Sequence, residues 1–206
     1  MSIPKTTQDL LEKFNESAEI KNYGSLVECD SFWKRHLVLG DIDPEVGEAV
    51  EGMIRFWNEQ DDENDIPENE RTPIKIYIDS NGGDLIATLT MVDAIKLSKT
   101  PVWTINIGAA YSGGFFTFIA GHKRFTYPHA SFLYHEGSTG NVGDAGKFQN
   151  FAEFYKKQLN ILKDITLKYT KISPELYEEK RRDDWWIDSN EAIKLGIADE
   201  IVERFI

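Results

Sequence analysis

Two turns in this sequence put glycine, serine and polar groups where an apolar strand-like run gives way to a helix-like one. The first, Asp79-Ser80-Asn81-Gly82-Gly83-Asp84, follows Ile74, Ile76 and Ile78. The second, Gly108-Ala109-Ala110-Tyr111-Ser112-Gly113-Gly114, follows the apolar run from Val102 to Ile107. A Gly-Gly pair lets backbone approach a ligand and offer its N–H, because no Cβ intervenes. Ser112 stands at the start of a helix, so its hydroxyl lies at the positive end of the helix dipole. The Gly113 N–H beside it can face a developing oxyanion, which is the chemistry of acyl transfer. The structural alternative for Ser112 is a capping serine in a tight turn. A phosphate cradle fits neither turn, since both lack a Walker lysine and a full dinucleotide fingerprint.

A serine nucleophile needs a base, and the chain has 4 histidines. His36 beside Lys34-Arg35 reads as surface, and His122 and His129 fall in turns. His135 ends the apolar run Phe132-Leu133-Tyr134 and opens a glycine-rich loop, which makes it the candidate base; a structural histidine is the alternative. A buried carboxylate would orient its imidazole and stabilise the charged form. Asp184 is the candidate, because Trp185-Trp186 should bury its neighbourhood. The order Ser, His, Asp differs from the Ser, Asp, His order of hydrolases with a nucleophile elbow. Ala110, two before Ser112, also breaks their Gly-x-Ser-x-Gly pattern.

These residues need a scaffold. Residues 1–28 read as an appendage with Leu10, Leu11, Phe14 and Ala18 at helical spacing. A strand is expected over 32–39, then a helix through Val46, Val50, Ile54 and Trp57. Glu59 to Glu70 holds seven acids and reads as a solvated loop, part of an acidic insertion over 59–73. Beyond it, strands alternate with helices, including a long helix from Phe148 to Tyr169. Asp188 with Glu191 marks the start of a short helix that Gly196 stops, and a last strand runs from about Glu200 to Phe205. That alternation predicts an α/β domain with a mostly parallel sheet and βαβ crossovers.

Composition narrows the classes further. The chain has 206 residues, 41% of them hydrophobic, which suits one globular domain. With 23 basic and 35 acidic residues the formal charge is −12, which argues against nucleic acid and anionic membrane surfaces as partners. The single Cys29 excludes an internal disulfide and an all-cysteine metal site. No apolar run approaches the roughly 20 residues a membrane span needs. Met1-Ser2-Ile3-Pro4-Lys5 has no secretory h-region, so a cytoplasmic protein is expected.

Several motifs in order resemble the proteolytic subunit of the Clp protease over about residues 30–204. Ser80-Asn81-Gly82-Gly83 resembles that family's Ser-Pro-Gly-Gly, and the Gly108–Gly114 segment its Gly-x-Ala-Ala-Ser-Met-Gly. Pro128-His129-Ala130 and His135-Glu136-Gly137 resemble Pro-Asn-Ala and His-Gln-Pro. Arg182-Asp183-Asp184-Trp185-Trp186, Glu191-Ala192 and Gly196-Ile197-Ala198-Asp199 resemble its C-terminal pattern. The resemblance implies a crotonase-like fold of repeated βαβ units for residues 29–206, with a protruding handle over 136–172. It implies a triad of Ser112, His135 and Asp184, with the Gly83 and Gly113 N–H groups as the oxyanion hole. Counting back without gaps from Glu191-Ala192 selects Asp184, and Asp183 falls on the family's arginine position.

The implied activity is serine endopeptidase cleavage of unfolded proteins, with no metal or organic cofactor on this chain. ATP would be spent by a partner, a Clp-type AAA+ unfoldase, and copies of the chain would form seven-membered rings paired through their handles. Asn81 in place of proline and Gly113 in place of methionine predict a looser or differently shaped cleft. The helical reading of the N-terminal appendage puts pairing with a standard unfoldase in question. Two other classes compete: a catalytically silent ring subunit, and an acyl-CoA-processing relative of the same fold. The complete Ser–His–Asp set disfavours the first, and the Ser112–His135 pair disfavours the second, whose members work through carboxylates and backbone N–H groups.

Overall fold

The computed structural model describes residues 31–140 and 142–206. The N-terminal appendage, including its expected helix and Cys29, lies outside the described residues. Seven strands and six α-helices follow among the described residues: β1 (His36–Leu39), α1 (Pro44–Glu63), β2 (Ile74–Ser80), α2 (Leu85–Leu97), β3 (Val102–Tyr111), α3 (Gly113–Ile119), β4 (Lys123–Thr126), β5 (Ser131–Tyr134), α4 (Ala145–Tyr169), α5 (Pro174–Lys180), β6 (Trp185–Asp188), α6 (Ser189–Lys194) and β7 (Glu200–Ile201).

The sheet order is β1-β2-β3-β4-β7, every neighbour parallel. Ten-residue β3 forks: Trp103 to Asn106 pair with β4, whereas Ala109 to Tyr111 pair with β5. β6 then adds to β5 antiparallel. This is the expected crotonase-like α/β scaffold of βαβ units. Ile74, Ile76 and Ile78 are wholly buried on β2, while β5 delivers Phe132 and Tyr134 to the same core. Helix α3 is buried at every position, which is why its sequence is apolar all round rather than striped.

The acidic segment departs from the expected solvated loop. Helix α1 continues to Glu63, because its inward stripe of Val50, Ile54 and Trp57 continues into Asp61 one turn later. Asp61 is 1% exposed, and Arg35 grips both its oxygens at 2.6 and 2.7 Å while Thr100 donates at 2.7 Å. Burial alone would raise the Asp61 pKa, but these bonds and the charges of Arg35 and Arg71 outweigh it and hold the carboxyl low. The stability this contributes is present above the unfolded carboxylate pKa and is lost as pH falls through the lower folded value. Asp62 binds Arg71 and Lys99, so the segment is tied at Asp61 and Asp62 to the approaches of β2 and β3, while its other acids are exposed as expected.

Other boundaries also move. Residues 31–33 are helical, so the strand expected over 32–39 begins at His36 after Arg35 turns the chain at φ 58°. The last strand stops at Ile201, and Phe205 stays exposed. Short elements β4, α5 and β6 have no distinct periodicity in the sequence and emerge from their pairing partners. Helix α4 projects: of its 25 residues, Leu162 and Thr166 are the buried ones, and Phe148, Phe154 and Ile161 are exposed. No helix among the described residues is long and apolar enough to cross a membrane.

Candidate active site

The two glycine turns lie against each other. A Cβ on Gly82 would come 2.7 Å from the Ser112 Cβ and 2.8 Å from the Gly113 nitrogen. The first turn is held from the side by the chain entering α1. Ile42 N donates to the Gly82 carbonyl and Asp84 N donates to the Ile42 carbonyl, both at 2.8 Å. This bridge presses Ile42 onto Gly83, whose φ of 150° and lack of Cβ allow the approach. Asp84 then caps α2 by accepting from Ala87 N at 2.8 Å.

Ser112 adopts φ 52° and ψ −117°, a backbone region that costs a non-glycine residue on the order of 1–3 kcal/mol. Its side chain makes no capping hydrogen bond to α3, so the alternative of a simple capping serine fails. The turn is pinned by Ser112 N donating to the Leu133 carbonyl at 2.9 Å. Neither the Gly83 nor the Gly113 N–H has a hydrogen-bond acceptor among the described residues, and a Cβ on Gly113 would sit 3.4 Å from Gly83 N. Two backbone N–H groups without acceptors among the described residues therefore lie in the paired turns next to Ser112. The space that a side chain at Gly113 would need is taken by Thr88 Oγ1 and Ile42 Cδ1.

Ser112, Gly83, Gly113 and His135 line one cleft of about 570 Å³. Phe116, Phe151, Phe154 and Leu162 supply much of its apolar wall. Its acids are Asp84 and Glu136, and no lysine or arginine lines it. Behind β5, buried Tyr134 donates to Tyr177 at 2.7 Å. Burial first, and then that bond, push the Tyr134 phenol far above its ordinary range.

The β5–β6 ladder pairs Leu133 with Trp186 and Tyr134 with Trp185. Extended by one position, its register sets His135 opposite Asp184. Directly opposed residues of an antiparallel pair share a face, and their neighbours point to the other one. The His135 Nδ1 is 3.8 Å from Asp184 Oδ1, longer than a hydrogen bond. Asp183 instead closes the end of α5 through its own N–H to the Lys180 carbonyl at 3.0 Å. The expectation that both tryptophans bury Asp184 is not met: β6 alternates, Trp185 inward and Trp186 outward, leaving the Asp184 side chain 65% exposed. No Ser112–His135 hydrogen bond is present among the described residues.

The remaining histidines lie away from the cleft. His122 Nδ1 accepts from Val102 N at 2.9 Å, and burial, with the Lys96 charge, lowers its pKa. His129 is exposed, and His36 packs edge-on to Tyr77. Sequence reasoning does not find Ile42 and Thr88, which pack against Gly83 and Gly113, or Arg181, which reaches the residue after His135. One signal was available for the last: Glu136 stands where the quoted motif has glutamine.

Comparison with known proteins follows the same outline. The family model described as Clp protease matches residues 65–205. An ATP-dependent Clp protease proteolytic subunit 2 of Borreliella burgdorferi is 36% identical over 141 residues, 65% of this chain and 68% of that protein. The subunit 2 of Treponema pallidum is 30% identical over 134 residues, 64% of this chain and 67% of its own. The proteolytic subunit of Dehalococcoides mccartyi strain CBDB1 is 29% identical over 174 residues, 83% of each chain.

Proposed function

This chain belongs to the Clp protease family, and on that premise we propose that it is a serine endopeptidase subunit with Ser112, His135 and Asp184 as its triad. The observation that carries the reading is Ser112 itself: a strained, uncapped serine whose turn meets two unclaimed N–H donors. Ser112 Oγ attacks the peptide carbonyl while His135 takes its proton through Nε2, the ring nitrogen remote from Asp184. Asp184 faces Nδ1, fixes the tautomer and stabilises the imidazolium. The Gly83 and Gly113 N–H groups bind the tetrahedral oxyanion, each worth about 3 kcal/mol in comparable sites. His135 then protonates the leaving amine, and water repeats the sequence on the acyl-enzyme. At 3.8 Å the pair is longer than a hydrogen bond, and catalytic bonds of this kind commonly tighten as substrate binds.

The same reading extends to the assembly. The projecting α4 with its exposed Phe148, Phe154 and Ile161 supports self-association through handles, in paired seven-membered rings that enclose the clefts. The relatives are named ATP-dependent; here ATP is spent by an AAA+ unfoldase that feeds unfolded protein to the chamber in the cytoplasm, and this chain needs no metal or organic cofactor.

A fluorophosphonate probe tests the reading directly. It is expected to label Ser112, and Ser112→Ala is expected to abolish both labelling and peptide cleavage in assembled protein. Labelling that persists in Ser112→Ala, or an assembled wild-type protein that neither labels nor cleaves in the presence of its unfoldase, overturns the assignment.

A further inference from the structure

Asp184 is the least supported member of the proposed triad. It is largely exposed, and the ladder that aims it stops at Tyr134–Trp185, one pair short of His135 and Asp184. The backbone bonds of the 181–184 turn, Arg181 N to Tyr177 O and Asp183 N to Lys180 O, tie it to α5 and not to β5. Beyond the unladdered pair, however, the two segments meet again. Arg181 Nη1 donates to Glu136 Oε1 at 2.7 Å, and both side chains are about three-quarters buried, at 26% and 21% exposed.

We infer that the Glu136–Arg181 ion pair is a positioning device, holding the 181–184 turn against the end of β5 so that Asp184 faces the His135 ring. The inference rests on the triad reading above. The His135–Asp184 pair is bracketed, by the β5–β6 ladder on one side and by this ion pair on the other. Arg181 is itself oriented, because its Nε donates to Glu178 Oε2 at 2.7 Å, and Glu178 accepts from Lys163 of α4 at 2.6 Å. The bonds to Glu136 and Glu178 keep the guanidinium firmly charged. Tyr155 of α4 secures the same short stretch from the cleft side, donating to the Glu136 carbonyl at 3.0 Å. Glutamine at position 136 could still accept from the guanidinium but would bring no opposite charge, so the carboxylate there matches the presence of Arg181.

The test compares Glu136→Gln, Arg181→Met, the double variant and Arg181→Lys, in assembled protein with its unfoldase, alongside Ser112→Ala. Arg181→Met is expected to lower kcat about a hundredfold, the scale of a small misplacement of a catalytic group, and Glu136→Gln to lower it by a smaller factor. The rate of fluorophosphonate labelling at Ser112 should fall in parallel, while thermal midpoint and assembled mass stay at wild-type values. The double variant should lose no more than Arg181→Met, because that variant has already lost the bond to Glu136. Arg181→Lys should recover part of the rate, since an ammonium keeps the charge without the fork. Wild-type kcat in Glu136→Gln, additive losses in the double variant, or a change confined to KM overturns the inference. Glu136→Gln is nearly isosteric and gives the reading even if Arg181→Met fails to fold. Ser112-dependent cleavage with an unaffected Glu136→Gln removes the positioning role alone, whereas no Ser112-dependent activity in wild type removes the triad reading and this role with it.

Discussion

The turn that carries Ser112 and the pair formed by His135 and Asp184 are held in opposite ways. Around Ser112 the constraints are backbone and packing: Leu133 O receives its N–H, Ile42 presses on Gly83, and Thr88 fills the space beside Gly113. Carboxylates contribute as acceptors for backbone N–H groups, Asp79 from Ala109 and Asp41 from Asn81, both at 3.0 Å. Around His135 the constraints are a strand register that ends one pair early and an ion pair between partly exposed side chains. On the proposed roles, the donor side is thus held by backbone and packing, and the proton-relay side by strand register and an ion pair.

That contrast can be broken most decisively at the carboxylate. Asp184→Asn should lower kcat by about four orders of magnitude, since an amide favours the wrong tautomer of the imidazole. Asp183→Asn should leave turnover near wild type, because Asp183 serves the end of α5 through its backbone. Peptidase kinetics on two variants of equal assembled mass decides this, and the reverse pattern would transfer the third triad position to Asp183. The backbone side is challenged next by Gly113→Ala. Its methyl group must displace Thr88, whose hydroxyl donates to the Asp84 carbonyl at 2.8 Å. Overpacking of this kind costs about 1–3 kcal/mol, read as a lower unfolding midpoint in denaturant. Adding Thr88→Ala should recover stability; a double variant no better than Gly113→Ala would mean that packing does not hold this turn. The smallest effect sharpens the comparison. Ser112→Gly should be about 1 kcal/mol more stable than Ser112→Ala, because alanine keeps the Cβ strain that glycine releases. Equal thermal midpoints for those two variants would show that the turn stores no strain.

The local chemistry of both glycine turns is legible in the sequence, since a turn's residues are neighbours along the chain. The strand–helix alternation from Ile74 onward is equally plain, because periodicity reports which face each residue presents. The acidic stretch was misread for a related reason. Seven acids within 59–70 look solvated by composition, yet Asp61 occupies the inward face of α1 and its counter-charge, Arg35, lies 26 residues away.

Sequence alone therefore determined the family, the fold class and the Ser112 turn, each carried by short-range pattern. Tertiary structure decided that Ser112 does not cap its helix, that Asp184 stays largely exposed, and that Arg181 reaches Glu136 across 45 positions of chain. Those outcomes depend on the β5–β6 register and on which side chains meet once α5 is docked. Such pairings are set by closure of distant segments onto one core, and no local spacing encodes them.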